Sequence, residues 1–181
     1  HAALHRTQSV QALVMLCALP RFVRAPYWPH GMDAETFTTF GDELARDYRG
    51  TLERFIALET LGSDNAATEL RLLRAQVFAH GEPSPLALQQ GLRLLEQTDL
   101  RADLPSLKMP SLWLAGRRDR LADWRAMQAS ATLAPNARFH RIEGAAHAPF
   151  LTHVDEVSAQ VLAFLAHVDA ASFASAPAAV A

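Results

Sequence analysis

Residues 110–121 read PSLWLAGRRDRL and residues 142–153 read IEGAAHAPFLTH. Each passes from an apolar run through a glycine, Gly116 or Gly144, to one ionisable residue, Asp119 or His147. The run at 110–116 is short and continuously apolar, which predicts a strand buried on both faces. Residues 123–135, DWRAMQASATLAP, supply an aspartate cap, helical apolar spacing and a closing proline. Residues 137–144, ARFHRIEG, alternate as in a strand nearer a sheet edge. Strand, helix, strand at this spacing predicts two parallel strands joined by a right-handed crossover. Asp119 and His147, 28 positions apart (147 − 119), then stand on adjacent loops at the carboxyl edge of the sheet.

A carboxylate beside an imidazole holds the ring in one tautomer and stabilises its protonated form. That is the acid–base half of a nucleophilic triad, in the chain order acid then base. Asp123 competes as the acid, but its place just before a helix fits an N-cap. His140, on a strand, and His153, at a helix start, read as surface residues. His1, His5, His30, His80 and His167 show no grouping with acids or cysteine at metal-ligand spacing, so no metal site is expected.

Outward from this unit, residues 153–168 are amphipathic and helical, with Val157, Val161, Leu162 and Leu165 expected inward. Residues 169–181, DAASFASAPAAVA, have the composition of a frayed or disordered tail. Upstream, residues 10–20, VQALVMLCALP, form an apolar run that predicts a further strand ending at Pro20. Residues 1–9 look like the end of a helix. Residues 33–62 show helical spacing that puts Phe37, Phe40, Leu44, Tyr48, Leu52 and Phe55 on one side and stops at Gly62. Residues 63–81 form another helix with Ser63 or Asp64 as cap, and residues 84–100 a third with Ser84 as cap and Pro85 in the first turn. The fold class is therefore α/β. Residues 1–20 end a helix and carry a core strand, 21–104 form an all-helical cap, 105–168 continue the parallel core, and 169–181 are the tail.

Composition narrows the function. The 181 residues are 50% hydrophobic and 20% charged, with a formal net charge of −2, which supplies no global field for nucleic acid or an anionic membrane. No run approaches the ~18 apolar residues of a membrane span. Cys17 is the only cysteine, so it has no internal disulfide partner; inside an apolar run it reads as a buried small hydrophobe of a reducing, cytoplasmic compartment.

The two motifs, PSLWLAGRRDRL and IEGAAHAPFLTH, resemble the last third of the α/β-hydrolase fold, and TLERFIALETLG at residues 51–62 narrows the likeness. Over roughly residues 1–165 the chain is similar to a carboxylesterase family of biotin synthesis that cleaves pimeloyl methyl esters carried on acyl-carrier protein. The resemblance implies Asp119 as triad acid and His147 as general base, with no cofactor. It implies a substrate channel along Phe55, Ile56, Ala57, Leu58 and Glu59. It implies docking of the acidic carrier protein at Arg54, Arg71 and Arg74, with Arg46 and Arg49 adding to the patch. The chain departs from the family where Gly50 and Ala67 replace further arginines, and where Asp123 replaces a proline in the acid loop.

The larger departure concerns the nucleophile. None of the nine serines lies in a G-x-S-x-G elbow. The expectation is an inactive chain by itself, with the nucleophile and oxyanion hole in an N-terminal portion of the same protein as its partner. Other capped α/β-hydrolases, such as C–C bond hydrolases, or dehalogenases and epoxide hydrolases with an aspartate nucleophile, share the acid–base pair. A non-catalytic binding protein on the same scaffold also stays open at this stage.

Overall fold

The computed structural model describes residues 2–5, 9–79 and 81–175. Among these residues the core is a parallel sheet of three strands, β1 (Leu13–Leu16), β2 (Ser111–Gly116) and β3 (Ala137–Ile142), in the order β1-β2-β3. Leu13 pairs with Ser111, and Ser111 with Ala137. Every residue of β2 is buried, as expected of a central strand covered on both faces.

Alternation along β2 sorts the core into two layers. Trp113 and Ala115 pack with Met127 and Ala131 of helix α6 (Trp124–Leu133), and with Leu104 of a 3₁₀ turn (Arg101–Ser106). Leu112 and Leu114 pack with Ile142 and with Val157, Phe164 and Val168 of helix α8 (Val154–Ser175). A short helix α1 (Ala2–His5) adds Ala3 to the first layer, and helix α7 (Pro149–Thr152) leads into α8. No helix among the described residues is long and apolar enough to cross a membrane.

Among the described residues four α-helices lie between β1 and β2: α2 (Ala34–Arg46), α3 (Tyr48–Thr60), α4 (Ala66–Phe78) and α5 (Pro85–Gln97). The spacing at 33–62 predicts one helix, but the chain makes two. Asp47, at φ −140° and ψ 78°, ends α2 and caps α3 by accepting from Gly50 N–H at 2.9 Å. An aspartate side chain competes with the helical backbone for its own donors, so it suits a break better than a helix interior. Helix α4 starts after Asn65 rather than Ser63 or Asp64; Ser63 Oγ accepts from Asn65 N–H at 3.2 Å, and Asp64 turns to Arg118. Ser84 and Pro85 open α5 as the sequence predicts.

Two expectations for the C-terminal helix need correction. Leu162 and Leu165 point outward, 66% and 43% exposed, while Phe164 and Val168 fill the core. The inward set, buried Val157, Phe164 and Val168 with partly buried Val161, follows a helix stripe that the continuous apolar run VLAFLA at 161–166 concealed. The helix also runs on through the expected tail to Ser175, in keeping with the high helix propensity of its alanines. The rest of the expected tail, residues 176–181, lies outside the described residues, as do His1, His80 and residues 6–8 of the expected N-terminal helix end.

Candidate active site

The carboxyl ends of the three strands converge. Cys17 follows β1, Asp119 lies in the loop after β2, and His147 lies in the loop after β3. Because β2 is central, the loop of Asp119 neighbours both others. The acid and base loops are joined through their backbones: Arg117 N–H donates to Ile142 O and Arg118 N–H to Ala145 O, each at 2.9 Å. Gly116 permits this approach, since a Cβ there would sit 2.0 Å from the Ala146 carbonyl oxygen.

Asp119 has a fully buried side chain whose two oxygens are both used. Oδ1 accepts from Leu121 N–H at 2.8 Å and Ala122 N–H at 2.9 Å, which fixes the carboxylate against its own turn. Oδ2 accepts from His147 Nδ1–H at 2.8 Å. The imidazole keeps 27% of its side-chain surface exposed, and Nε2 has no protein partner among the described residues. Burial pushes the His147 pKa down. The hydrogen bond and charge of Asp119, with Glu59 and Glu69 adding, outweigh burial and leave the value raised. The ring is thus oriented and its charged form stabilised, with one nitrogen left to take a proton.

The helices between β1 and β2, for brevity called the cap, bond to both loops. His147 N–H donates to Glu59 O at 3.2 Å, and Asp64 N–H donates to Gly144 O at 3.0 Å. Arg118 Nη1 donates to Gly62 O at 2.7 Å and pairs with Asp64. Thr152 Oγ1–H donates to Glu69 Oε1 at 3.4 Å. Glu69 is completely buried, and its Oε2 has no partner among the described residues. Burial, together with Asp119 and Glu69, raises the pKa of half-buried Glu59, against the lowering effect of His147.

Of the five residues expected along the channel, Glu59 alone meets the acid–base pair. Phe55 stacks on Phe40 with ring centroids 5.1 Å apart, Ile56 is buried, and Ala57 and Leu58 are exposed. Two of the three expected docking arginines are engaged within the cap. Arg54 pairs with Glu43 at 3.0 Å, and Arg74 Nε donates to Glu53 at 2.8 Å. Arg71 is exposed, with no ion pair among the described residues, and Arg49 lies over the Phe78 ring at 4.5 Å. Asp123 caps α6 by accepting from Arg125 N–H at 2.7 Å, as its position predicts, and it also approaches His30 at 3.7 Å. His140 pairs with Glu156 at 2.7 Å. A separate cleft of about 700 Å³ lies between α2 and α5, lined by Phe37, Leu44, Tyr48, Leu88 and Leu92, away from Asp119 and His147.

Sequence reasoning missed Cys17. Its Sγ, a carboxylate oxygen of Asp119 and a ring nitrogen of His147 all lie within 4.8 Å of one another. The expectation about metal-ligand grouping concerned His1, His5, His30, His80 and His167; the group in space is built on His147 instead. The signal was available, because the rule that places chemistry just past a parallel strand applies to β1 as well. Burial, and next the Asp119 charge, raise the thiol pKa far above its ordinary range, so Cys17 is a neutral thiol and not an activated nucleophile. Its backbone sits in the left-handed region at φ 46°.

A match to the family described as alpha/beta hydrolase fold extends over residues 1–154. The chain is 56% identical over 168 residues to the pimeloyl-[acyl-carrier protein] methyl ester esterase of Xanthomonas oryzae pv. oryzae (strain MAFF 311018), covering 93% of this chain and 66% of that protein. It is 54% identical over 157 residues to the protein of the same name from Stenotrophomonas maltophilia (strain K279a), covering 87% and 61%. The chain therefore spans about two thirds or less of these relatives' length. Among solved structures, bromoperoxidase from Bacillus anthracis superposes with a TM-score of 0.74 at 23% identity, covering 86% of this chain and 58% of that one. The enol-lactonase from Burkholderia xenovorans LB400 superposes with a TM-score of 0.75 at 17% identity, covering 91% and 60%. These likenesses agree with the parallel strands and the loop-borne pair: the chain belongs to the alpha/beta hydrolase fold family.

Proposed function

We propose that this chain supplies the acid and base of a serine carboxylesterase that hydrolyses the methyl ester of a pimeloyl chain on acyl-carrier protein, releasing methanol. The observation that carries the reading is the 2.8 Å bond from His147 Nδ1–H to buried Asp119, with no partner for Nε2 among the described residues. The names of the Xanthomonas and Stenotrophomonas relatives support the ester and its carrier.

In this mechanism His147 Nε2 takes the proton of a serine hydroxyl as that oxygen attacks the ester carbonyl. The ring then gives the proton to the departing methanol oxygen. A water molecule attacks the acyl-enzyme by the same route, with Asp119 holding the ring throughout. The serine belongs to another segment of the same protein, since no serine here stands in an elbow motif. This chain by itself is accordingly inactive. Glu59 meets the acyl group beside His147, and exposed Arg71 offers the carrier an unengaged cation.

The test uses the protein with its nucleophile, a fluorophosphonate probe and the carrier-bound methyl ester. The expected result is covalent labelling and methanol release in the wild type, with loss of both rates in His147→Ala. Unchanged hydrolysis in His147→Ala would overturn the assignment.

A further inference from the structure

We propose that Cys17, Asp119 and His147 form a binding site for a thiophilic divalent cation, zinc or cadmium, and that its occupation disables the acid–base pair. Cation binding stands independently of the esterase reading; only the inhibitory consequence rests on it.

The donor set is thiol, carboxylate and imidazole, a combination that borderline-soft cations prefer over calcium or magnesium. The three ligating atoms already lie within 4.8 Å of one another. Tetrahedral zinc, with bonds of about 2.0 to 2.3 Å, sets its donors roughly 3.5 Å apart. The sulfur therefore has to approach by about one ångström and the His147–Asp119 pair, bonded at 2.8 Å, has to open by somewhat less, both within reach of side-chain rotation. The strands supplying the residues are adjacent, so no large backbone movement is required.

Charge favours the same occupant. The side chains bearing most strongly on His147 are Asp119, Glu59 and Glu69, all acidic. Asp119 and Glu69 bear on Cys17 too. Glu69 is an independent sign of an unmet cation requirement: it is completely buried, and Oε2 has no donor among the described residues. A carboxylate oxygen without a partner in the interior is costly, and a dication nearby offsets that cost through the local field. The partly exposed His147 ring gives the ion a way in.

Binding exchanges protons in a defined way. The cation displaces the Cys17 thiol proton to solvent and forms a metal–sulfur bond. The ligating nitrogen of His147 must carry no proton, so the neutral ring keeps its proton on the other nitrogen. Asp119 exchanges its hydrogen bond to the ring for the metal. With one ring nitrogen on the cation and the proton on the other, the imidazole has no lone pair left to accept a proton.

Cadmium titration of the chain, read by the ultraviolet thiolate-to-cadmium charge-transfer band, tests this without any ester. The expected result is a band saturating at one equivalent, with the His147 ring resonances shifting in parallel. Asp119→Asn and His147→Ala, both keeping Cys17, are expected to weaken cadmium binding at least about tenfold. Zinc is expected to raise the thermal midpoint of the wild type and leave Cys17→Ser unmoved. Circular dichroism confirms the fold of each variant. Cadmium binding that is equally tight in Asp119→Asn and His147→Ala would reduce the event to a lone thiol and overturn the proposal. So would a charge-transfer band with unmoved His147 resonances. Neither result would touch the esterase reading, which His147→Ala tests by hydrolysis.

Discussion

The backbone N–H of His147 donates to the carbonyl oxygen of Glu59 at 3.2 Å, so the loop of the ring hangs from the end of a cap helix. The same contact brings the Glu59 carboxyl to the imidazole, whose proton it helps to hold. Glu59→Gln keeps the backbone bond and removes the charge. The His147 pKa is expected to fall, because one of the groups raising it is gone. In the active protein the base must be neutral, so the acid limb of the pH–rate profile moves to lower pH. Nuclear magnetic resonance titration of the ring carbon in wild type and Glu59→Gln measures the shift; an unmoved or raised value refutes the assignment.

Asp119→Asn leaves an oxygen to accept from Leu121 and Ala122, but it replaces a charged acceptor with a neutral amide. The ring loses the partner that sets its tautomer. In the protein that carries the nucleophile, kcat is expected to drop by about four orders of magnitude. The His147 pKa falls as well, because both the hydrogen bond and the charge that raise it are lost. Single-turnover methanol release, paired with the ring titration, reads both effects.

Gly116→Ala places a methyl group 2.0 Å from the Ala146 carbonyl oxygen and 2.7 Å from that of Ala145. Both obstacles are backbone, so relief requires moving the peptide just before His147. The variant is expected to lose about 1–3 kcal/mol of stability, the usual range for overpacking. It should also lose the downfield proton signal of the His147–Asp119 bond. Urea unfolding and a one-dimensional proton spectrum check the two together.

Phe164 is 2% exposed and Leu162 is 66% exposed. Truncating Phe164 to alanine is expected to cost about 3–5 kcal/mol. Truncating Leu162 should change stability by no more than about 0.5 kcal/mol. Urea midpoints of the two variants decide whether the stripe through 157, 161, 164 and 168 is the buried one.

These contrasts show where the sequence was readable. The β2–α6–β3 unit and its two loop residues were legible because each boundary carries its own chemical signal: Gly116, Asp123, Pro135 and Gly144. The inward face of α8 was not, because six apolar residues in a row at 161–166 satisfy several helical stripes. The break at Asp47 was hidden because Phe37, Phe40, Leu44, Tyr48 and Phe55 keep helical spacing on both sides of it. Cys17, whose place just past β1 was its one signal, and Glu69 were missed as site residues for another reason. They reach the pair from β1 and from the cap, at sequence separations no motif spans.

The acid–base pair also has a place in time. Its members lie 28 residues apart on one crossover, whereas Cys17 precedes Asp119 by 102 residues (119 − 17), with the whole cap between. Chain-closure entropy grows with the span that must close, so the crossover assembles at lower cost than the β1 contact. During refolding the pair is therefore born before the cap closes over it. Pulsed amide exchange is expected to show Arg117 and Arg118, bonded to Ile142 and Ala145, gaining protection ahead of Cys17, bonded to Leu114. A proton relay assembled first and covered afterwards gives the cap a finished surface to settle on.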